Sequence, residues 1–178
     1  MKKMKNKQIT FCAIMAALAA VIMMGGWFPY FTYTIPCVAS LTTMVVTIEY
    51  DKKSAFLTYL VSLLPIMLFC EIESKILYLC FAGFYPPLKA LVERMHSRLI
   101  EFVVKFVCFN ICVGLVYVFS TFVFGVTFDD VGELGKYGAV ILLVLANITF
   151  IAYDFCITKM AEFYILKFHS KISKIFKK

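Results

Sequence analysis

The chain has 178 residues, of which 62% are hydrophobic and only 16% are charged. A soluble domain of this length usually contains about 45–50% apolar and about 25% charged residues. One small core cannot bury such an excess, because a short chain leaves much of its surface exposed. The composition therefore excludes an ordinary soluble domain and indicates a protein that is surrounded by lipid.

The formal net charge of +7 raises the question of nucleic-acid binding, since phosphate groups attract Lys and Arg. The basic residues, however, lie in four short segments between or beside apolar runs. Segments of this kind orient helices in a membrane. We therefore predict that the chain contacts a lipid bilayer and binds no nucleic acid.

Apolar runs predict six transmembrane helices, which form one all-α domain over residues 1–178. The Lys-rich start resembles a secretory signal, but its apolar run over residues 9–24 is long for one, so we predict an uncleaved first helix. The fourth run, residues 76–88, is only about 20 Å long as a helix, short for a hydrocarbon core of about 30 Å. The predicted spans are residues 8–26, 34–48, 54–69, 76–91, 100–126 and 137–158, followed by a basic tail over residues 159–178.

Small residues recur on one face of the first predicted helix. Ala13, Ala17 and Ala20 share this face. Small side chains let a second helix approach closely, and van der Waals contact then replaces the hydrophobic drive that lipid does not provide. This pattern predicts a helix–helix contact, either with a partner subunit or inside the bundle.

An aromatic connection follows the first helix on the predicted outer side. It contains Trp27, Phe28, Tyr30, Phe31 and Tyr33, and the next outer turn carries two carboxylates. Those outer acidic residues are Glu71 and Glu73, followed further along the chain by Asp129, Asp130 and Glu133. Aromatic and acidic groups on one rim can stack on a small organic solute and hydrogen-bond it. The alternative is an ordinary interfacial aromatic belt.

Polar residues inside the predicted spans are candidates for function, because each costs free energy in lipid unless it has a partner. Lys105 and Asp154 each lie five residues, or about 7 Å, inside the cytosolic boundary, which predicts an ion pair between the last two helices. We favour a packing role for this pair over a proton or ion relay. Asn110 and Asn147 fall near the midplane, where they either hydrogen-bond across these helices or line a polar pocket.

The distribution of positive charge predicts the orientation of the helices. If six helices cross and the N-terminus is inside, all but Lys75 and Lys136 of the 18 Lys and Arg residues lie on the cytosolic side. A fourth segment that turned back would place the last two basic clusters outside, against the positive-inside rule. We therefore predict six crossings of a bacterial plasma membrane, with both termini cytosolic.

Motifs for catalysis and for metal binding are absent from the sequence. The seven Cys residues form no CxxC pair, and the two His residues lie in basic segments. The chain also lacks GxSxG, HExxH and Walker motifs. We predict no enzymatic activity, no cofactor and no metal site, and the missing Walker motif means that the chain cannot drive uptake with ATP by itself.

Taken together, these features resemble the substrate-binding S component of energy-coupling factor (ECF) transporters. The resemblance rests on the length, the six helices, the alanine-rich first helix and the basic inner face. The stretches over residues 83–89 and 147–154 look like those of an uncharacterised Firmicute-type branch of the family. The resemblance covers nearly the whole chain in architecture.

The resemblance implies that the chain captures a vitamin or another micronutrient. A transmembrane coupling subunit and two ATPase subunits would supply the energy, and the alanine face of the first helix would contact the coupling subunit. It also implies a pocket built from the outer loops and the outer halves of the later helices. The candidate pocket residues are Trp27, Tyr30, Tyr33, Glu71, Asn110 and Asn147.

A second function is compatible with the same residues. The chain would then be a membrane protein that acts through helix packing, as an assembly or regulatory partner. Solute capture predicts a largely enclosed polar and aromatic pocket that opens outward. The alternative predicts a filled bundle in which the buried polar groups satisfy each other.

Overall fold

The computed structural model describes residues 6–28, 30–94, 98–124, 138–170 and 172. All regular structure in these residues is helical, which confirms the predicted all-α class. The α-helices are α1 (Asn6–Met24), α2 (Thr34–Glu49), α3 (Lys52–Phe69), α4 (Ile72–Leu77), α5 (Tyr85–Val92), α6 (Arg98–Phe124) and α7 (Gly138–Lys167). A 3-10 turn, Gly25–Trp27, follows α1, and a π-helical segment, Tyr78–Ala82, joins α4 to α5.

Several helices are long and apolar enough to cross a membrane. In the part of the chain that the structure describes, these are Asn6–Trp27, Lys52–Phe69, Ile72–Val92, Leu99–Val118 and Val140–Lys167. The shorter helix Thr34–Glu49 is also apolar. Three predicted regions lie partly or wholly outside the described residues: the basic start (1–5), the outer connection with Asp129, Asp130 and Glu133 (125–137), and the end of the tail (173–178).

The predicted fourth span consists of three pieces rather than one regular helix. The segments α4, π and α5 follow one another over Ile72–Val92. These 21 residues are about 31 Å long at the rise of an α-helix, although their clean apolar run is much shorter. The segment therefore has as many residues as a membrane-spanning helix needs.

Helix α7 extends beyond the predicted boundary at residue 158. It continues to Lys167, so half of the predicted tail belongs to this helix. No Gly or Pro lies between residues 159 and 167, and nothing else in this stretch ends a helix. An exposed ion pair, Lys159–Glu162, adds a weak contact along its surface.

The central helix of the bundle is α2, which contacts α1, α3, α5, α7 and the π segment. Its buried residues include Ala39, Ser40, Thr42 and Thr43. The hydroxyl groups of Ser40, Thr42 and Thr43 donate to backbone carbonyls three residues earlier in the helix, so these buried groups have hydrogen-bond partners. Small side chains of this kind let several helices approach one central helix closely.

Aromatic rings fill the space where α5, α6 and α7 meet the π segment. Phe109 and Phe150 stack with ring centroids 4.5 Å apart, and Phe81 packs edge-on against both. Tyr85 contacts Phe81 and Phe150 from α5. Ring pairs of this kind each contribute about 1 kcal/mol beyond the area that they bury, and they position the polar groups of α5 and α7.

Gly83 ends the π segment at a point where α3 leaves no room for a side chain. A Cβ atom on Gly83 would lie 2.4 Å from Cδ2 of Tyr59 and 2.9 Å from Cε1 of Tyr78. The ring of Tyr59 is held there, because its hydroxyl donates to the carbonyl oxygen of Leu79 at 2.8 Å. The close approach of α3 to the π segment therefore requires glycine.

We expect Gly83→Ala to lower the stability of the purified protein by about 1–3 kcal/mol, because the extra methyl group overpacks this contact. The measurement is thermal unfolding in mild detergent. Gly114→Ala is the matched control, since a Cβ there meets nothing within 4 Å. Alanine is also more favourable than glycine in a helix interior, by up to about 1 kcal/mol. Equal stability of the two variants would contradict the close approach.

Candidate functional site

Two buried lysines and one aspartate meet where α5, α6 and α7 approach each other. Lys89 of α5 and Lys105 of α6 are each 5% exposed. The Nζ atom of Lys105 lies 3.6 Å from Oδ2 of Asp154 on α7. Lys89 forms an ion pair with Oδ1 of the same carboxylate. The structure thus brings Lys105 and Asp154 together and adds Lys89, which from the sequence was only counted among the basic residues of the cytosolic side.

Further hydrogen bonds complete this group, which we call the Asp154 cluster. The Asp154 cluster consists of Tyr85, Lys89, Glu93, Glu101, Lys105 and Asp154. The hydroxyl of Tyr85 donates to Oδ1 of Asp154 at 2.6 Å. Oε1 of Glu93 lies 3.1 Å from Nζ of Lys89 and 3.2 Å from Nζ of Lys105. Lys105 also donates to Glu101 at 2.6 Å.

The Asp154 cluster satisfies its own charges and reaches the surface on one side. Each lysine has at least two carboxylate partners, which offsets the cost of removing an ammonium group from water. The side chain of Glu93 is 42% exposed, so the cluster is open there. Such an arrangement links α5, α6 and α7 through their charged groups, and its loss would leave lysines buried without partners.

A simple spacing could have revealed Tyr85 and Lys89 from the sequence. Tyr85, Lys89 and Glu93 follow one another at intervals of four residues, which places them on one face of a helix. The sequence analysis read this stretch as the end of a span and a basic loop. This spacing was the signal in the sequence that Lys89 pairs with groups on its own helix face.

A buried carboxylate, Glu49, joins α2 to the end of α7. Glu49 is 3% exposed. Its Oε1 atom accepts a hydrogen bond from the hydroxyl of Tyr164 at 2.9 Å and lies 2.9 Å from Nδ1 of His169. Ile172, beyond the helix, packs beside Phe11 and its neighbours. From the sequence, Glu49 was expected in a loop and Tyr164 and His169 in the basic tail. Their contact could not be predicted there, since it depends on the continuation of α7 to Lys167.

The two midplane asparagines are hydrogen-bonded to each other. Nδ2 of Asn110 donates to Oδ1 of Asn147 at 3.0 Å, and Nδ2 of Asn147 donates back to Oδ1 of Asn110 at 3.3 Å. Each Nδ2 also donates to the carbonyl oxygen four residues earlier in its own helix. Asn110 in addition lines an open apolar groove of about 630 Å³ along α6. The pair links α6 to α7, and both side chains have their partners inside the bundle.

The predicted outer residues that the structure describes lie together at one end of the bundle, which we call the aromatic end (residues 25–28, 30–34 and 69–77). Nε1 of Trp27 donates to the carbonyl oxygen of Phe69 at 3.0 Å, and the hydroxyl of Tyr33 donates to Glu73 at 2.8 Å. Tyr30 is 93% exposed. Hydrogen bonds therefore hold Trp27 and Tyr33 in place, while the ring of Tyr30 is open to its surroundings.

Glu71 is the N-cap of α4. Its carboxylate accepts hydrogen bonds from the backbone N–H groups of Glu73 at 3.1 Å and Ser74 at 2.9 Å. Partial burial raises the pKa of this carboxyl, but these two hydrogen bonds outweigh that effect, and the pKa of Glu71 lies below its ordinary value. In the structure Glu71 stabilises a helix end, and its position on the aromatic end is compatible with the predicted contact to a solute.

The alanine face of α1 is divided between surface and interior. Ala13 and Ala17 are exposed, whereas Ala20 is half-buried and packs beside Met23 and its neighbours. The alanines that α1 turns inward are Ala16 and Ala19, which are almost fully buried. Helix α1 thus packs in the bundle with one set of alanines and presents another on its surface.

No group of three or more His, Cys, Asp or Glu side chains suited to a metal ion occurs among the described residues. Comparison of the chain with protein-family models, curated proteins and solved structures found no match. The functional inference therefore rests on the residues and their geometry.

Removing the charge of Asp154 should destabilise the protein. We expect Asp154→Asn to cost about 3 kcal/mol, because it removes a counter-charge from two buried lysines. Thermal unfolding in mild detergent measures the change. Glu162→Gln is the matched control on the same helix, since the Lys159–Glu162 pair is more than half exposed and should contribute less than about 1 kcal/mol. If both variants are equally stable, the Asp154 cluster does not hold the helices together.

The cap at Glu71 predicts a specific pH dependence. A carboxyl whose pKa is depressed in the folded state stabilises the protein above its unfolded pKa of about 4.3, and this stabilisation is lost as the pH falls through the folded pKa. We expect Glu71→Gln to lower stability by about 1 kcal/mol at pH 7. The difference from the parent protein should shrink as the pH falls below about 4. A difference that stays constant from pH 7 to pH 3 would contradict a charged cap.

Proposed function

We propose that this chain is the membrane-embedded substrate-capture subunit of an ECF-type transporter for a vitamin or another micronutrient. In this proposal the chain crosses a bacterial plasma membrane six times, with both termini in the cytosol. A transmembrane coupling subunit binds the exposed alanines of α1. Two ATPase subunits supply the energy that the chain cannot supply itself.

The difference between the two ends of the bundle supports this orientation. Lys52, Lys53 and Arg94 line one groove at the end opposite the aromatic end, and Lys89 and Lys105 lie near that groove through their contacts with Glu93. We call this the basic end. Positive charge is typical of the cytosolic side, and the helical length of Ile72–Val92 supports a fourth crossing.

The observation that carries the proposal is the exposure of Ala13 and Ala17 on α1. They are spaced four residues apart, so they lie on one face of the helix. Alanine contributes little to lipid contact by itself, but it lets the backbone of another helix come close. The exposed face therefore fits a partner in the membrane, as the S-component resemblance implies.

The aromatic end supports solute capture. It combines the exposed ring of Tyr30 with the rings of Trp27 and Tyr33, which hydrogen bonds hold in place, and it carries the carboxylate of Glu73. Rigid aromatic groups lose little conformational entropy on binding, and a few placed polar groups orient a ligand. This chemistry fits a small organic solute that bears hydrogen-bond donors.

A specific observation also favours the second function, an assembly or regulatory partner. Asn110, Asn147 and Asp154 all find their partners inside the bundle, as expected for a protein that acts through helix packing. Both functions use the alanine face of α1. They differ in whether ATPase subunits and a solute accompany the chain.

The test is to tag the full-length protein in its own organism, extract it in mild detergent and identify what co-purifies. We expect a membrane subunit, two ATPases and a bound metabolite. In Ala13→Leu/Ala17→Leu, recovery of the partner subunits should fall at least about tenfold, because the larger side chains keep the partner helix away. Ala152→Leu on α7 is the matched control, since Ala152 is also exposed.

The outcomes distinguish the two functions. Recovery of the ATPases together with a metabolite supports solute capture. Recovery of a membrane partner that depends on Ala13 and Ala17, with neither ATPases nor metabolite, supports the assembly function instead. Equal recovery from the alanine variants and the Ala152→Leu control would overturn the assignment of the α1 face.

A further inference from the structure

Two grooves adjoin each other at the basic end, and the Asp154 cluster borders only the first of them, through Glu93. The first, the basic groove, has a volume of about 850 Å³, and its lining includes Lys52, Lys53 and Arg94. The second, the apolar groove, has a volume of about 440 Å³. It lies between α3 and α5 and is lined mainly by Phe56, Leu57, Phe84, Pro87, Leu88 and Leu91.

The two grooves share part of their lining. Lys52, Lys53 and Leu57 line both of them. Along α5, the apolar groove runs from Leu91 to Phe84, a distance of about 10 Å along the helix axis. A ligand that occupied both grooves would therefore need a charged part joined to an extended apolar part.

The lining of the basic groove has an excess of positive charge. Two carboxylates also line this groove, Asp51 and Glu93. Asp51 accepts a hydrogen bond from the backbone N–H of Ser54 at 2.7 Å, and Glu93 pairs with the two lysines of the Asp154 cluster. In the part of the chain that the structure describes, Lys52, Lys53 and Arg94 form no ion pair within 4 Å. The groove therefore favours an anion.

We propose that the basic groove and the apolar groove together bind one anionic phospholipid. Its phosphate lies among Lys52, Lys53 and Arg94, and one acyl chain follows the apolar groove between α3 and α5. Basic pockets between transmembrane helices on the cytosolic side bind anionic head groups. A free phosphate would leave the apolar groove unused, whereas a lipid matches both parts. The proposal requires that the chain crosses a membrane, but it does not depend on solute capture.

Native mass spectrometry of the delipidated full-length protein in mild detergent tests this assignment. Phosphatidylglycerol and phosphatidylcholine are titrated separately. We expect one tightly bound phosphatidylglycerol and at least about tenfold weaker binding of phosphatidylcholine. In Lys53→Gln/Arg94→Gln the affinity for phosphatidylglycerol should fall about 20-fold or more, since each basic residue near an anionic lipid contributes roughly fivefold.

Two control variants test whether the effect on lipid binding is specific to the two grooves. Lys159→Gln/Lys167→Gln removes the same charge from exposed positions on α7 and should leave phosphatidylglycerol binding unchanged. Leu91→Gln changes the apolar groove alone, so it should weaken the lipid and leave any binding of inorganic phosphate unaltered. Thermal unfolding confirms that each variant is folded before its binding is compared.

Several results would overturn the proposal. Equal binding of the two lipids, or equal losses in the two double variants, would mean that only diffuse charge attracts the lipid. Full displacement of phosphatidylglycerol by millimolar inorganic phosphate, together with no effect of Leu91→Gln, would assign the site to a free phosphate. Failure to recover ATPases or a metabolite with the tagged protein would leave this lipid site unaffected.

Discussion

The burial of two ammonium groups determines how three helices of this structure approach each other. Lys89 and Lys105 are almost completely removed from solvent, and the cost of burying their ammonium groups has to be offset by carboxylates close by. Asp154 meets this requirement from a third helix, so α5, α6 and α7 have to approach each other at one level of the bundle. The aromatic packing of Phe81, Phe109 and Phe150 in the same region depends on that approach.

The rest of the bundle follows from the small side chains of α2. Because α2 presents Ala, Ser and Thr to its neighbours, five other helices can contact it. Close approach also explains the irregular fourth segment, where Gly83 lets α3 pack directly on the π segment. In lipid, contacts of this kind take the place of the hydrophobic drive that holds soluble bundles together.

The two ends of the molecule have different chemistry, and this difference shapes both proposals. The aromatic end carries rings and carboxylates held by hydrogen bonds, which suits recognition of a small polar solute. The basic end carries Lys52, Lys53 and Arg94, which form no ion pair among the described residues, beside an apolar groove, and this combination suits an anionic lipid. Asn110, Asn147 and Asp154 have their hydrogen-bond partners within the bundle.

The sequence by itself determined the helical class, the approximate bounds of most helices and the meeting of Lys105 with Asp154. These properties depend on local composition and on the constant rise of a helix, so counting along the chain is sufficient. Only the tertiary structure decided that Lys89 joins that pair, that Glu49 meets Tyr164 and His169, and that Glu71 caps a short helix. Those contacts join residues of different helices or depend on how a helix begins, ends or continues, and hydropathy contains no information about which side chains face each other across a bundle.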